Sequence, residues 1–174
     1  MARLENLLGA WSLTVTDRMA AVGRSAGLST TDQAALVTLL AHPDRPVAWL
    51  GEVLGLTSSG ATRLVDRLVS SDWVARSAGK DTRQRRVRLT RSGASLARRL
   101  VSGREVVLTD CLDGLDARDR TELERLLERL VGGSTPDQMP AMRTCRLCDR
   151  TACRSGGREC PLDHTTPEES VAHV

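Results

Sequence analysis

Residues 56–90 read LTSSGATRLVDRLVSSDWVARSAGKDTRQRRVRLT, and this stretch contains the pattern that decides the fold. Its first half carries apolar residues at the three- and four-residue spacing of an amphipathic helix: Ala61, Leu64, Val65 and Leu68. Thr57 and Ser58 are suited to cap the start of this helix, because a short hydroxyl side chain accepts a hydrogen bond from an unpaired backbone N–H. The small residues at this end predict a close approach to another surface, such as a phosphate backbone.

A two-stranded hairpin follows the helix. Val87 and Leu89 alternate with arginines, which is the period of a half-buried strand, and Val74 begins the expected antiparallel partner. The connecting segment, residues 78–84, is polar and basic and contains a glycine, so it is predicted to form the exposed tip of the hairpin. A helix followed by a basic hairpin indicates a winged helix-turn-helix.

This stretch resembles the multiple antibiotic resistance regulator (MarR) family of transcription factors. The residues that carry the resemblance are the helix run SSGATRLVDRL and the wing, 81–83 followed by 87–90. In element order the resemblance extends over roughly residues 1–131. It implies that the third and fourth helices form the helix-turn-helix and that the first, fifth and sixth helices form a two-fold dimer. It also implies that Arg83 enters the minor groove of DNA while Asp81 holds its guanidinium group.

Together, the pattern and the resemblance predict that the helix and the wing contact double-stranded DNA. The predicted DNA-binding residues are Thr57, Ser58, Ser59, Thr62, Arg63, Arg67, Asp81, Arg83 and Arg85. Charge supports this prediction, because residues 57–99 contain eleven basic and three acidic residues while the whole chain carries a net charge of only +3. Neutralised phosphates release counterions and so strengthen binding. A solvated arginine face is the alternative explanation.

Long helices are predicted on both sides of this lobe. One amphipathic helix spans about residues 3–25, a second begins at Thr30 with Gln33 completing a capping box, and a third begins at Pro46. Two more helices occupy about residues 91–131. The terminal helices have no obvious partner in so small a fold, so their apolar faces are expected to pack against a second copy of the chain. A monomer with its helices folded back is the alternative.

Composition narrows the class of protein. A chain of 174 residues with 40% hydrophobic content suits one compact domain and an appendage. The absence of a leader pattern and of a long apolar run predicts a cytoplasmic protein that does not span a membrane. Three tryptophans without Phe or Tyr argue against recognition by base stacking. No arrangement typical of a catalytic site stands out, so the chain is not predicted to be an enzyme.

A second informative stretch, CRLCDRTACRSGGRECP, occupies residues 145–161. It contains four of the five cysteines, Cys145, Cys148, Cys153 and Cys160. Thiolates at such short spacings can bind one metal ion, and a reducing compartment disfavours disulfides. Zinc is the first expectation, an iron–sulfur cluster is the alternative, and unmetallated thiols are the third possibility. His164 is a candidate replacement for one thiolate ligand.

The predicted fold is mainly α with a small β-hairpin wing, a winged helix-turn-helix with long N- and C-terminal dimerisation helices. The winged helix-turn-helix domain spans 1–133, with its DNA-binding lobe at about 30–90, followed by a linker at 134–141 and a Cys-rich tail at 142–174. The predicted function is that of a dimeric repressor that binds a palindromic operator and responds to a small-molecule effector or to the cysteine-bound metal. Two alternatives stay open: a metal or redox sensor that acts mainly through protein contacts of its tail, and a small enzyme that uses the thiolates.

Overall fold

The computed structural model of the chain describes residues 2–78 and 85–165. The helices are α1 (Arg3–Arg24), α2 (Thr30–Ala41), α3 (Val47–Leu54), α4 (Ser58–Ser70), α5 (Arg91–Cys111), α6 (Ala117–Gly132), α7 (Gln138–Thr144) and α8 (Arg150–Cys153). The strands are β1 (Arg45–Pro46), β2 (Val74–Ala78) and β3 (Arg85–Leu89). Two 3₁₀ turns, Ser155–Gly157 and Asp163–Thr165, complete the tail. The prediction of a mainly helical fold with a small β wing is confirmed.

The three strands form one antiparallel sheet in the order β1-β3-β2. Val74 pairs with Leu89 and Arg76 with Val87, so the predicted hairpin is present. The two-residue strand β1 adds Arg45 opposite Val87. Strand β1 was not predicted from the sequence, because two residues are too few to show a period. The tip of the wing was predicted at residues 78–84, but Ala78 belongs to β2 and pairs with Arg85. Residues 79–84 lie outside the described residues.

The core lies where α2, α3, α4 and α5 meet one face of the sheet. Its largest fully buried side chains include Leu36, Leu39, Leu50, Leu68 and Val87. The stripe predicted for α4 is confirmed, since Ala61, Leu64, Val65 and Leu68 are its buried residues. This arrangement leaves the opposite face of α4 pointing to solvent.

The capping box of α2 differs from the predicted one by one residue. Ser29 is the cap: its hydroxyl accepts a hydrogen bond from the backbone N–H of Asp32 at 3.1 Å, and the Asp32 carboxylate accepts one from the backbone N–H of Ser29 at 3.0 Å. Gln33 instead lies in the core and donates to the carbonyl of Ala20 in α1 at 3.3 Å. Three consecutive hydroxyl residues, 29–31, are all competent caps, so sequence alone does not choose among them.

Two glycines set the angle between α3 and α4. Gly55 ends α3 in the left-handed conformation, with φ of 67°. Glycine adopts this conformation without the steric strain that a Cβ atom adds in other residues. A Cβ added at Gly51 would lie 2.9 Å from the Cβ of Ala61, closer than packed carbon atoms approach. The two helices therefore cross at close range, and the start of α4 is presented at the surface.

The terminal helices are only partly covered by their own chain. Helix α1 packs along α5, but α6 has no buried residue and makes few contacts with other elements. Ten large apolar side chains on these three helices are exposed: Leu4, Leu7, Leu8, Trp11, Leu13, Val106, Leu108, Leu126, Leu127 and Leu130. Within residues 2–78 and 85–165, no helix combines the length and the apolar character needed to cross a membrane.

The tail folds back onto the lobe instead of extending from α6. Helix α7 packs against α3, and Ala141 and Leu162 are buried. The segment predicted as a linker, 134–141, contains the first turn of α7. Pro140 suggests a break in the sequence, yet a proline is tolerated in the first turn of a helix, where its missing N–H would have no intrahelical partner.

Candidate nucleic-acid interface

The start of α4 presents a row of small polar side chains. Thr57 caps the helix by accepting a hydrogen bond from the backbone N–H of Gly60 at 3.2 Å, and its hydroxyl lies 3.3 Å from that of Ser59. Thr62 donates to the carbonyl of Ser58 at 3.0 Å. All four of these hydroxyl residues are exposed. The structure therefore brings the predicted residues Thr57, Ser58, Ser59 and Thr62 together on one accessible surface.

Two arginines of α4 differ in their surroundings. Arg63 is exposed and forms no ion pair with any described residue. Arg67 lies with its Nη2 atom 2.6 Å from Oδ1 of Asp32, so it ties α4 to the start of α2. Burial opposes ionisation of Asp32, but hydrogen bonds from Ser29 and Arg67 hold the pKa of this carboxyl below its ordinary value. Arg63 is thus available to a ligand, while Arg67 has a partner within the lobe that the sequence did not reveal.

The base of the wing lies next to this helix. Arg85, at the start of β3, lines the same surface groove as Ser58 and Thr62. Arg85 is exposed and forms no ion pair among the described residues. The other predicted wing residues, Asp81 and Arg83, lie outside the described residues. The structure therefore brings the hydroxyls of α4 and one arginine at the base of the wing to the same groove.

Two further arginines of the hairpin serve the fold. The Nε atom of Arg86 donates to the carbonyl of Asp44 at 2.9 Å and lies 3.3 Å from its carboxylate. Arg76 pairs with Asp66 of α4. These contacts hold the sheet against α4 and the end of α2. Some arginines of this segment, such as Arg76 and Arg86, therefore form ion pairs within the fold, while others, such as Arg63 and Arg85, are accessible. A count of charges in the sequence does not distinguish the two groups.

The four tail cysteines line one cavity. Cys145, Cys148, Cys153 and Cys160 all contribute to its wall, together with apolar residues such as Met142 and Leu162. Cys145 and Cys148 are joined by a turn in which the backbone N–H of Cys148 donates to the carbonyl of Cys145 at 2.9 Å. All four are free thiols. Among the described residues no three His, Cys, Asp or Glu side chains already form a group that could hold a metal ion.

The thiols differ in acidity because of their neighbours. A hydrogen bond with Cys145, supported by the charges of Arg104 and Arg146, lowers the pKa of Cys148 to about 7, although neighbouring protein atoms partly desolvate this exposed thiol. The same hydrogen bond and burial raise the pKa of Cys145. Burial and the charge of Cys148 raise the pKa of Cys153. Near neutral pH, Cys148 is therefore the thiol that loses its proton most readily, while Cys145 and Cys153 stay protonated.

His164 lies apart from this cavity. Its Nδ1 atom is 3.0 Å from the carbonyl of Pro161, and its Nε2 atom is 3.4 Å from the carbonyl of Thr135. It does not belong to the wall that the cysteines form. The four cysteines, without His164, are the set that the fold gathers.

Comparisons with known proteins agree with this architecture. Residues 26–84 match the model of the MarR family. The lobe that carries α2, α3, α4 and the first strand of the wing is therefore similar to the winged helix-turn-helix of MarR regulators. No curated protein sequence matches the chain.

Solved structures of MarR proteins share the fold. Wild-type MarR from E. coli in its apo form is 21% identical, with a TM-score of 0.66, and the match covers 75% of this chain and 97% of that one. The MarR family protein Rv2887 of Mycobacterium tuberculosis in complex with DNA is 23% identical, with a TM-score of 0.62 and coverage of 75% and 98%. The same protein in complex with p-aminosalicylic acid is 26% identical, with a TM-score of 0.59 and coverage of 74% and 98%. About a quarter of this chain therefore lies outside each match.

Proposed function

We propose that this chain is a transcription regulator of the MarR type, a homodimeric repressor that binds a pseudo-palindromic operator in double-stranded DNA. The observation that carries the proposal is the outer face of α4, where the exposed hydroxyls of Ser58 and Thr62 line one groove with Arg85 of the wing. Arg63 is exposed on the same helix. Hydroxyls and backbone N–H groups at a helix start suit phosphate oxygens, and arginine suits guanine edges in the major groove. The related Rv2887 of M. tuberculosis was crystallised with DNA.

The apolar surface of the terminal helices supports the dimer. Leu127 and Leu130 of α6 are 47% and 63% exposed, and Leu4 and Leu8 of α1 are 74% and 56% exposed. A large apolar surface of this kind marks an interface in a soluble protein. A two-fold axis would let the same surface cover itself. Such a dimer carries two copies of α4, which would enter successive major grooves with half-site centres about 10 bp apart.

We propose that DNA binding is regulated at or near the tail, by a small-molecule effector or by a change at the cysteines. A groove between α2 and α5 is walled by tail residues 148–151 as well as by Val37, Arg98 and Val101. A small-molecule effector bound there would contact the tail directly, and so would a change at the cysteines. Rv2887 was crystallised with p-aminosalicylic acid, which makes an organic anion one effector class to test.

Selection of binding sites from a random pool of double-stranded DNA tests the proposal. The expected result is an enriched pseudo-palindrome whose affinity falls steeply with salt, because several phosphate contacts release counterions. Arg63→Ala should change the enriched base at one position of each half-site. A matched control is Arg129→Ala on α6, which should leave the selected sequence unchanged.

Placing the selected sequence inside a promoter then tests repression. The regulator should lower expression of a reporter gene, and an increase would identify an activator instead. Failure of any sequence to enrich would favour the other class of function, a metal or redox sensor acting through protein contacts of the tail. The cysteine cavity shares no lining residue with the groove beside α4, so a sensor function of the tail would not require that groove.

A further inference from the structure

We propose that Cys145, Cys148, Cys153 and Cys160 bind one metal centre through four thiolates, and that this centre is a clamp between the DNA-binding lobe and helix α6. The cavity that all four cysteines line is the observation on which the site rests. The regulatory consequence, a change in DNA affinity when the metal is lost, rests in addition on the proposed DNA-binding function.

The donor set suits a soft metal. Four thiolates are the ligands of structural zinc and of iron–sulfur clusters, whereas magnesium and calcium prefer oxygen. Cys148 and Cys153 are exposed, so a metal can enter from solvent. The sulfurs do not yet form a coordination shell, and rotation about the Cα–Cβ bond of each cysteine moves its sulfur while the backbone stays in place. Binding would draw four side chains of one cavity wall inward.

Two of the four ligands are held in place by the lobe. The turn between Cys145 and Cys148 contains Arg146, whose carbonyl accepts a hydrogen bond at 3.1 Å from the buried hydroxyl of Thr38 in α2. Leu147 of the same turn packs against the hydrophobic core. The backbone between these two cysteines is therefore fixed before any metal binds. Because it is already ordered, less conformational entropy is lost when the metal binds.

Further contacts join this half of the tail to the helix-turn-helix. Arg143 of α7 donates from its Nε atom to the carbonyl of Glu52 in α3 at 2.9 Å. Arg150 lies with its Nη1 atom 2.8 Å from Nε2 of His42, which in turn meets the ring of Trp49 edge-on at 5.5 Å. The first half of the tail thus contacts α3 and the end of α2, the two helices directly before α4.

The second half of the tail contacts α6 instead. Arg158, between Cys153 and Cys160, pairs with Glu124. Pro161 follows Cys160 directly, and its carbonyl oxygen would lie only 3.2 Å from a Cβ added at Gly132, the last residue of α6. A centre with ligands from both halves would therefore tie α6 to α2 and α3. The segment 150–160 contains only a four-residue helix and a short 3₁₀ turn, with little buried surface to hold it otherwise.

Loss of the metal should loosen this connection. The lobe and α6 would then change their relative position more freely, and in a dimer this position sets the separation of the two copies of α4. Because both half-sites must be met at once, a wider distribution of separations lowers affinity. We expect the metal-free protein to bind its selected operator about tenfold more weakly, within the usual range of coupling between two sites.

Elemental analysis and a visible absorption spectrum of anaerobically purified full-length protein test the site itself. Zinc without visible absorption would identify a zinc centre, and iron with sulfide and visible absorption would identify a cluster. Both results support the four-thiolate site. If neither metal is present and the protein also fails to show thiolate-to-cobalt charge-transfer absorption with Co²⁺, the site is refuted.

A pair of variants tests the ligands. Cys145→Ser combined with Cys148→Ser should remove the metal, whereas Cys111→Ser, a cysteine on α5 outside the cavity, should retain it. Circular dichroism would verify that both proteins are folded. Metal content unchanged in the double variant would overturn the ligand assignment.

DNA binding by the same proteins tests the clamp. The double variant should bind the selected operator about tenfold more weakly than Cys111→Ser. Thr38→Val, which removes the hydroxyl that holds the cysteine turn, should keep the metal and lose part of that affinity. Equal affinity with and without metal would refute the clamp while leaving the site standing. Absence of DNA binding in the wild-type protein would instead refute the proposed function.

Discussion

Helices α4 and α6 look alike in sequence and differ in what covers them. Both have leucines at helical spacing on one side and charged residues on the other. In α4 the leucines are buried in the lobe, whereas in α6 no residue is buried and Leu126, Leu127 and Leu130 face solvent. An apolar stripe predicts that a helix packs against something, but it does not say whether the partner is in the same chain.

The largest expected effect is on the stability of the fold, and it should distinguish the buried apolar stripe of α4 from the exposed stripe of α6. Leu68 of α4 has no exposed surface, so Leu68→Ala should lower the free energy of unfolding by about 2–5 kcal/mol through lost burial and a residual cavity. Urea denaturation followed by circular dichroism measures this. The loss should be the same at low and high protein concentration, because the contacts are within one chain. A loss that disappears at high concentration would place α4 in the interface.

The next largest effect concerns dimerisation through α6, which should depend on protein concentration. Leu127→Asp places a charge in the proposed dimer surface and should weaken dimerisation by about 2 kcal/mol or more, as expected at a central interface residue. Light scattering at micromolar concentration should show a monomer for this variant and a dimer for the wild type. Glu128→Gln, on the next residue of the same helix, is the matched control and should remain a dimer. A monomeric wild type would contradict the interpretation of α6.

A third, somewhat smaller effect concerns DNA. Arg83→Ala should weaken operator binding by about 1–3 kcal/mol and reduce the salt slope by about one unit, since the family resemblance places this side chain in the minor groove. Arg67→Ala is the informative comparison, because Arg67 is paired with Asp32 and should affect stability more than the salt slope. Fluorescence anisotropy over a range of salt concentrations measures both. Wild-type affinity and slope for Arg83→Ala would remove the wing from the mechanism.

The smallest expected effect concerns the contact between the tail and the lobe. Burial, together with the charges of Arg150 and Arg45, lowers the pKa of His42 from 6.5 to about 4. Between these two values the unfolded chain binds more protons than the folded one, so stability should fall as the pH drops from 6.5 towards 4. Urea midpoints at several pH values should show this slope, and His42→Gln should reduce it. An equal slope in both proteins would mean that other groups carry the pH dependence.

The DNA-binding lobe shows which features can be predicted from residues that are close in sequence. The stripe of α4, the alternation of β3, the cap at Thr57 and the glycine turn at Gly55 were all readable, because each depends on residues a few positions apart. The exposed site residues of α4 followed from the same pattern, since a helix with a buried stripe must expose its other face. The division between the accessible Arg63 and the paired Arg67 was not readable, because Asp32 is 35 residues away in sequence.

Sequence by itself determined which side chains each element offers: the helical stripes, the wing strands, the basic charge of the lobe and the four cysteines of the tail. Tertiary structure decided where those side chains go. The tail packs against α2 and α3 through Thr38 and Glu52, which are 108 and 91 residues from their partners, and α6 keeps its leucines exposed. The physical reason is that helix and strand periods arise from short-range backbone geometry, whereas docking depends on surfaces that exist only once the chain has folded.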